Sequence, residues 1–466
     1  MDLYNINLRD KNNVSKQTIF LVPKQEVEES IVIKTGKSSK QTIEEMINEA
    51  INFQMKGNIS EAVKHYKNLI NQDIDDYRIF VNYGVILKGI GKLEEAAKLQ
   101  RKAIELKPDF GNAYYNLGTI LKGLGKLEEA EIYLRKAIKL NPNFAEAFSN
   151  LGNLLSDLGK SEEAEILLRQ AIELKPDFAE AYSNLGTILR DLGKLKEAES
   201  YTLKAIKLNP NDLHIQSNLI SLLTIYIPDD INSNSLFLIN EDFKRININK
   251  YHRNLITDKD IVKLYTDADS IYKKYTLNLE TNLLQIYKRN SINLNCKRHF
   301  LLFDKYKIIP EYCFSCYKVQ IETQSIIELI KLFIVFENLI LPSDNTRKCM
   351  VEKRDRIDGF YKGYIYCSSI EEANYVSNEI DDTITRSIRN DLKSKIKRGC
   401  SEYALEFPLY KKINKSGVQS MIYNENWRSK EQKIDRGNRN WGKSINSIKG
   451  FNLNSFLIIR NWIAYA

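Results

Sequence analysis

Histidine is scarce in this 466-residue chain: four copies, His65, His214, His252 and His299, stand far apart. No His-Glu-x-x-His run and no His-x-Asp pair occurs, which excludes the zinc-hydrolase and non-haem-iron arrangements that need them. A Gly-x-Ser-x-Gly elbow is missing as well. The letters of a phosphate-binding loop do occur at Gly437–Ser444, but polar Glu431–Arg436 precedes them where such a loop requires a buried strand. Asp355, Asp358 and Asp381 have no spacing that recommends them as acids or bases. The chain is therefore not expected to be an enzyme.

Long apolar runs are also lacking. The most apolar stretch, Ile326–Pro342, carries Glu328, Lys331 and Glu337, which a membrane span rarely tolerates, so it reads as a core helix. Thr18–Pro23 is apolar but short and sits inside a polar arm, 1–40, that lacks periodicity. Neither signal peptide nor anchor is expected, and the chain reads as cytoplasmic with no membrane partner. A hydrophobic content of 43% is ample for packed cores and the length allows two to four domains. Cysteine is absent until Cys296, and in a reducing compartment the six that follow are not expected to form structural disulfides.

What the chain does contain is repetition. Gly111–Phe144 reads GNAYYNLGTILKGLGKLEEAEIYLRKAIKLNPNF, and the blocks beginning at Ala145 and Ala179 restate it 34 and 68 residues on. Each block has a small residue within its first apolar-periodic half (Gly118, Gly152, Gly186), a turn glycine (Gly125, Gly159, Gly193), a small contact in its second half (Ala130, Ala164, Ala198) and a closing proline (Pro142, Pro176, Pro210). Glycine permits a tight turn, small side chains let helices approach closely, and proline ends a helix, so the unit is a stacked helix-turn-helix. Tyr77–Phe110 is a further copy, Ile43–Asp76 a worn one, and Leu213–Ile227 a half unit that caps the stack.

These blocks resemble the tetratricopeptide repeat (TPR), with Tyr114, Leu117, Gly118, Leu121, Ala130, Leu134, Ala137 and Pro142 on the motif's positions. The resemblance covers 43–227 and implies an α-solenoid with a concave groove. Asparagine occupies the sixth position of every block: Asn48, Asn82, Asn116, Asn150, Asn184 and Asn218. In a TPR stack that position faces the groove, where an amide offers a donor and an acceptor to an extended peptide backbone. The arrangement is similar to the asparagine ladder of O-linked N-acetylglucosamine transferases, whose two-lobed catalytic region this chain is too short to contain. Lys88, Lys122 and Arg190 follow on the same helices and would favour acidic peptides. The expected role is a scaffold for a protein or peptide partner; the competing reading is that asparagine here is a habit of the repeat.

Beyond the repeats, turn-forming residues make Pro228–Asp260 read as a linker, with helical spacing resuming over Ile261–Tyr275 and Leu279–Ile292, so 228–292 is expected to be a linker and helical connector. From 293 to 410 the pattern is Cys316–Glu322 as strand, Ser325–Leu341 as helix, Lys348–Lys353 and Tyr361–Cys367 as strands, Ile370–Ile384 as helix and Tyr403–Phe407 as a last strand. That order is the split βαβ of a ferredoxin-like α+β domain. In this topology Cys313, Cys316, Cys349 and Cys367 fall at one end of the sheet and would suit a zinc ion or an iron–sulfur cluster, unless they are packing residues. Cys400 is expected at the opposite end and Cys296 outside the sheet.

Net charge is +9, and 391–449 alone holds 14 Lys and Arg against six acids. With 411–466 read as a basic tail whose apolar end, Phe456–Trp462, is expected to dock on the fold, the alternatives for its charge are a solvated surface or attraction to nucleic acid or acidic proteins. Lys362-Gly363-Tyr364-Ile365-Tyr366 loosely resembles the third strand of an RNA-recognition motif, which would put Tyr364 and Tyr366 in stacking contact with bases.

Overall fold

The computed structural model describes residues 42–251, 255–290, 292–354, 359–413, 420–436, 440–442 and 444–466. The expected arm 1–40, His252, Asp355, Asp358 and part of Gly437–Ser444 lie outside them. The chain divides into two compact units, one reaching Leu158 and resuming over Glu162–Ala181, the other comprising Gly159–Ser161 and Tyr182–Ala466. No helix among the described residues is long and apolar enough to cross a membrane.

In the first unit the repeats fold as helix pairs: Ile43–Met55 with Ile59–Asn71, Tyr77–Gly89 with Leu93–Leu106, and Gly111–Gly123 with Leu127–Leu140, followed by Ala145–Asp157. The turns hold Gly91 and Gly125 at φ +79° and +73°, a region that costs any side-chain-bearing residue free energy. Within a pair, contact depends on the missing side chain at the eighth position. A Cβ on Gly118 would stand 2.8 Å from Leu134 Cγ and 3.3 Å from the Ala130 carbonyl oxygen. Within the block, Tyr115 packs against the closing Phe144 at 4.8 Å between ring centroids, and both are buried. The worn first copy is tied on by charge, with Arg78 reaching both carboxylate oxygens of Glu44 at 2.8 and 2.6 Å and Asp76 Oδ2 at 2.7 Å. Ion pairs such as Arg101–Glu129 and Arg135–Glu163 recur on the outer helices, but exposed pairs of this kind add little.

The second unit takes the helix Ala179–Asp191 from Tyr182 onward, its pair Leu195–Leu208 and the single helix Leu213–Leu222. The stretch 228–260, expected as a linker, carries the helix Ser235–Lys244, opened by Asn234 and burying Leu236, Phe237, Ile239 and Phe243. Turn-forming residues flank this helix without replacing it. The next helix, Asp258–Lys274, starts at a Thr257–Asp260 capping box. The final helix, Leu453–Tyr465, closes this core: Phe456 stacks on Phe243 at 4.9 Å, and Trp462, fully buried, donates its indole N–H to the Leu284 carbonyl at 2.9 Å. The expected basic tail is thus partly core.

The sheet has five antiparallel strands, β1 (Gln285–Lys288), β2 (Tyr317–Thr323), β3 (Arg347–Val351), β4 (Tyr361–Cys367) and β5 (Ser394–Arg398), in the order β1-β3-β4-β2-β5. Without β1 this is the split βαβ order that the alternation of elements predicts. Two expectations need correcting. Leu279–Ile292 holds the edge strand β1, not a helix, because pairing with β3 satisfies its backbone. The last strand is β5, and Tyr403–Phe407 belongs mostly to the helix Ser401–Glu406. The Lys-Ile-Lys alternation of β5 is that of an edge strand with one wet face.

Helices Ile326–Asn338 and Ile370–Ser387 cover one face of the sheet. Gly363 marks that face, since a Cβ there would stand 2.4 Å from Leu332 Cδ2. Arg347, fully buried, donates to the carbonyls of Phe336 and Leu339 at 2.6 and 2.7 Å and so satisfies the end of the first helix, where a cation also favours the dipole.

Two outcomes follow. Gly118→Ala is expected to lose about 1–3 kcal/mol in urea melts through overpacking, and unchanged stability would contradict the close approach. Trp462→Ala is expected to cost about 3–5 kcal/mol as a buried aromatic lost from the second unit; a negligible shift would show that the last helix is not part of its core.

Candidate functional site

The asparagine ladder is set by the repeat period: the sixth residue of each first helix recurs on the same helix face. Its members are not equally open. In the first unit Asn48, Asn82 and Asn116 are buried, at 4%, 0% and 1% exposure, while Asn150 is half-buried. In the second unit Asn184 and Asn218 are half-buried. Several amides are engaged within the stack. Asn150 Nδ2 donates to the Tyr115 hydroxyl at 2.6 Å, and Asn218 Nδ2 donates to Ser183 Oγ at 2.8 Å. Tyr115 and Ser183 are each the fifth residue of the preceding block, so the amide ties one repeat to the one before it. Asn48 Nδ2 reaches Glu44 Oε1 at 3.3 Å instead. This fifth-position partner escaped sequence reasoning, although a hydroxyl at Tyr115, Ser149 and Ser183 was there to be read.

The three cations are also engaged. Lys88 Nζ donates to Thr119 Oγ1 at 2.9 Å, Lys122 lies 3.0 Å from Asp157, and Arg190 meets Asp191 at 2.9 Å and Ser221 at 3.2 Å. Thr119, Asp157 and Ser221 all belong to the next block. Burial pushes the Lys88 ammonium down to about 8. These side chains bridge repeats before they can face a ligand.

The cysteines are placed differently from expectation. Cys349 pairs with Gly363 and Cys367 with Tyr317, which puts both on the helix-covered face, where both are buried. The quartet Cys313, Cys316, Cys349 and Cys367 is therefore not assembled. Instead Cys296, Cys313, Cys316 and Cys400 line one cavity, together with His299, Lys318, Tyr366 and Tyr403. Because β5 ends at Arg398 beside Tyr317, Cys400 falls next to Cys316, and the Gly399 amide donates to the Cys316 carbonyl at 2.8 Å. The misplaced last strand had put Cys400 at the wrong end. Cys296 arrives on the first turn of the helix Cys296–Tyr306, whose next turn buries His299.

Burial raises the Cys296 and Cys313 thiols and takes Cys316 up to about 12. It also takes His299 down to about 4, so its imidazole is neutral. Lys318 Nζ lies 3.6 Å from Cys400 Sγ; burial opposes its charge, but Cys400 and Tyr366 outweigh that and hold it well above the ordinary lysine value.

Tyr364 and Tyr366 occupy the sheet face opposite the helices, flanked by Lys318 and Lys348 at 5.3–5.8 Å from their rings. Tyr364 is only 8% exposed, its hydroxyl pushed up to about 12 by burial. Tyr364 is therefore covered against stacking by a base, whereas Tyr366 is half-buried. Some of the basic stretch is structural too: buried Arg398 donates to the carbonyls of Phe314 and Met421.

Comparison with known proteins agrees with the repeat geometry. Models of the tetratricopeptide repeat match residues 77–110, 111–144, 133–166 and 179–212, and a TPR repeat model matches 152–193. No curated protein sequence matches the chain. Among solved structures, a MamA protein is 25% identical over 35% of this chain and 90% of its own, with a TM-score of 0.32. YrrB, described as a TPR protein with an unusual peptide-binding site, is 25% identical over 37% of this chain and 89% of its own, with a TM-score of 0.33. An O-GlcNAc transferase of Thermobaculum terrenum is 24% identical over 28% of this chain and 26% of its own, with a TM-score of 0.27. Residues 77–212 are a run of tetratricopeptide repeats.

Proposed function

We propose that this protein is an interaction scaffold whose repeats hold an extended segment of a protein partner against the first helix of each pair. The observation that supports the reading is that Asn150, Asn184 and Asn218 are half-buried where Asn82 and Asn116 are enclosed, although Nδ2 of Asn150 and of Asn218 is engaged within the stack. Where the internal bond uses Nδ2, as at Asn150 and Asn218, the carbonyl oxygen and the second N–H of the amide can serve a peptide backbone. Recognition of this kind uses main-chain groups and tolerates many sequences. The buried members Asn82 and Asn116 contribute rigidity to the helices that carry the site, and Lys122 and Arg190 remain partly exposed beside their internal partners. The role is that of a binding module with no catalytic step.

Peptides selected on the full chain from a randomised phage-displayed library provide the probe. Asn150→Ala and Asn184→Ala are each expected to weaken such a peptide about fivefold, corresponding to about 1 kcal/mol for one lost amide bond. Tyr115→Phe removes the internal tie of Asn150 without removing the amide, and is expected to leave affinity unchanged or raise it. Equal affinity in wild type and both asparagine variants would show that the ladder serves stacking alone.

A further inference from the structure

We propose that a cavity in the second unit binds a small planar anion, an aromatic ring bearing one carboxylate or phosphate, independently of the peptide role of the repeats. The cavity lies where the end of the repeat helix Ala179–Asp191, strand β1, the start of the helix Cys296–Tyr306 and the segment 440–442 meet, and its volume is about 250 Å³. Sites for small molecules run from about 300 to 1,000 Å³ and gather where different substructures meet, so this one has room for a single ring system with one charged group. Its construction is particular to one block of the stack. A Cβ on the turn glycine Gly159 would stand 2.8 Å from the Trp441 ring, whereas nothing lies within 4 Å of the same position at Gly91 and Gly125. Main-chain bonds hold that ring in place: the Asn440 amide donates to the Gly159 carbonyl at 2.7 Å, and Asn293 Nδ2 donates to the Gly442 carbonyl at 2.8 Å.

The lining selects a flat ligand with negative charge. Tyr287, Tyr366 and Trp441 supply three aromatic rings, which favour a planar partner through stacking and edge contacts. Arg289 lies beside them with its guanidinium 5.2 Å from the Tyr287 ring, and no acid among the described residues pairs with it. A guanidinium so held keeps its planar fork of donors for a carboxylate or phosphate. Lys297 adds a second cation, 58% exposed. The one acid in the lining, Asp191, is already paired, with Arg190 at 2.9 Å and Lys297 at 3.5 Å, so it does not offset the guanidinium. Cys296 and Lys297 also belong to the first turn of an 11-residue helix whose N-cap, Asn295, makes no side-chain bond to its amides, and the positive end of that helix adds to the same field.

The test is calorimetric titration of the full chain with adenosine monophosphate and, separately, with indole-3-acetate, against adenosine as a ring without the anion and inorganic phosphate as an anion without the ring. The expected result is a single site per chain for at least one of the two aromatic anions, with adenosine and inorganic phosphate each weaker by about tenfold or more. Binding of adenosine monophosphate alone assigns a phosphate ligand, and binding of indole-3-acetate alone a carboxylate. Arg289→Gln changes an exposed side chain that no acid holds, so the fold survives it, and it is expected to weaken the bound anion about tenfold. Trp441→Leu is expected to do the same, while Arg245→Gln, at an exposed cation of the same unit outside the cavity, leaves binding unchanged. Circular dichroism checks that each variant is folded. Absence of binding by both aromatic anions up to about 1 mM, a result that needs no variant, overturns the proposal. So does equal affinity in wild type and Arg289→Gln, or adenosine binding as tightly as its monophosphate.

Discussion

The first unit depends on how closely two helices can lie. At Gly118 the absence of a Cβ lets Leu134 approach to a distance at which any side chain would collide. The 34-residue period then reproduces that approach in the next blocks, at Gly152 against Leu168. A single helix pair cannot bury its apolar face, so neighbouring pairs supply the missing contacts and stability accumulates along the array. The polar groups follow the same rule. Asn150 reaches back one block to Tyr115, and Lys88 and Lys122 reach forward one block to Thr119 and Asp157.

This changes what the ladder means. At Asn150 and Asn218 the amide is a structural tie, and in the proposed reading its capacity to contact a ligand as well differs from block to block with burial. Asn116 is wholly enclosed, whereas Asn150 retains surface. A periodic sequence signal therefore overstates the number of residues able to touch a partner.

The repeats were legible in the sequence because every block carries its own turn glycine, small contacts and closing proline, and local chemistry agrees with the fold. The α+β sheet was legible in outline for the same reason: Ser325 and Ser369 open its two helices, and β2 and β4 alternate clearly. Elements fixed by distant partners were not. Gln285–Lys288 becomes a strand only because β3 lies beside it, and Ser235–Lys244 stays helical because Phe456 and Phe451 cover its aromatic face. One such error propagated to chemistry. Placing the last strand after Cys400 instead of before it moved that thiol to the wrong end of the sheet and concealed the cluster with Cys296, Cys313 and Cys316. The pairing Tyr317–Arg398 restores it.

Hydrogen exchange on the full chain, with and without a selected peptide, tests the scaffold reading most directly. The account predicts slowed exchange in the first helices Ala145–Asp157 and Ala179–Asp191, with little change in the second helices Leu127–Leu140 and Leu195–Leu208. Protection confined to the second helices, or to the sheet β1–β5, would contradict it.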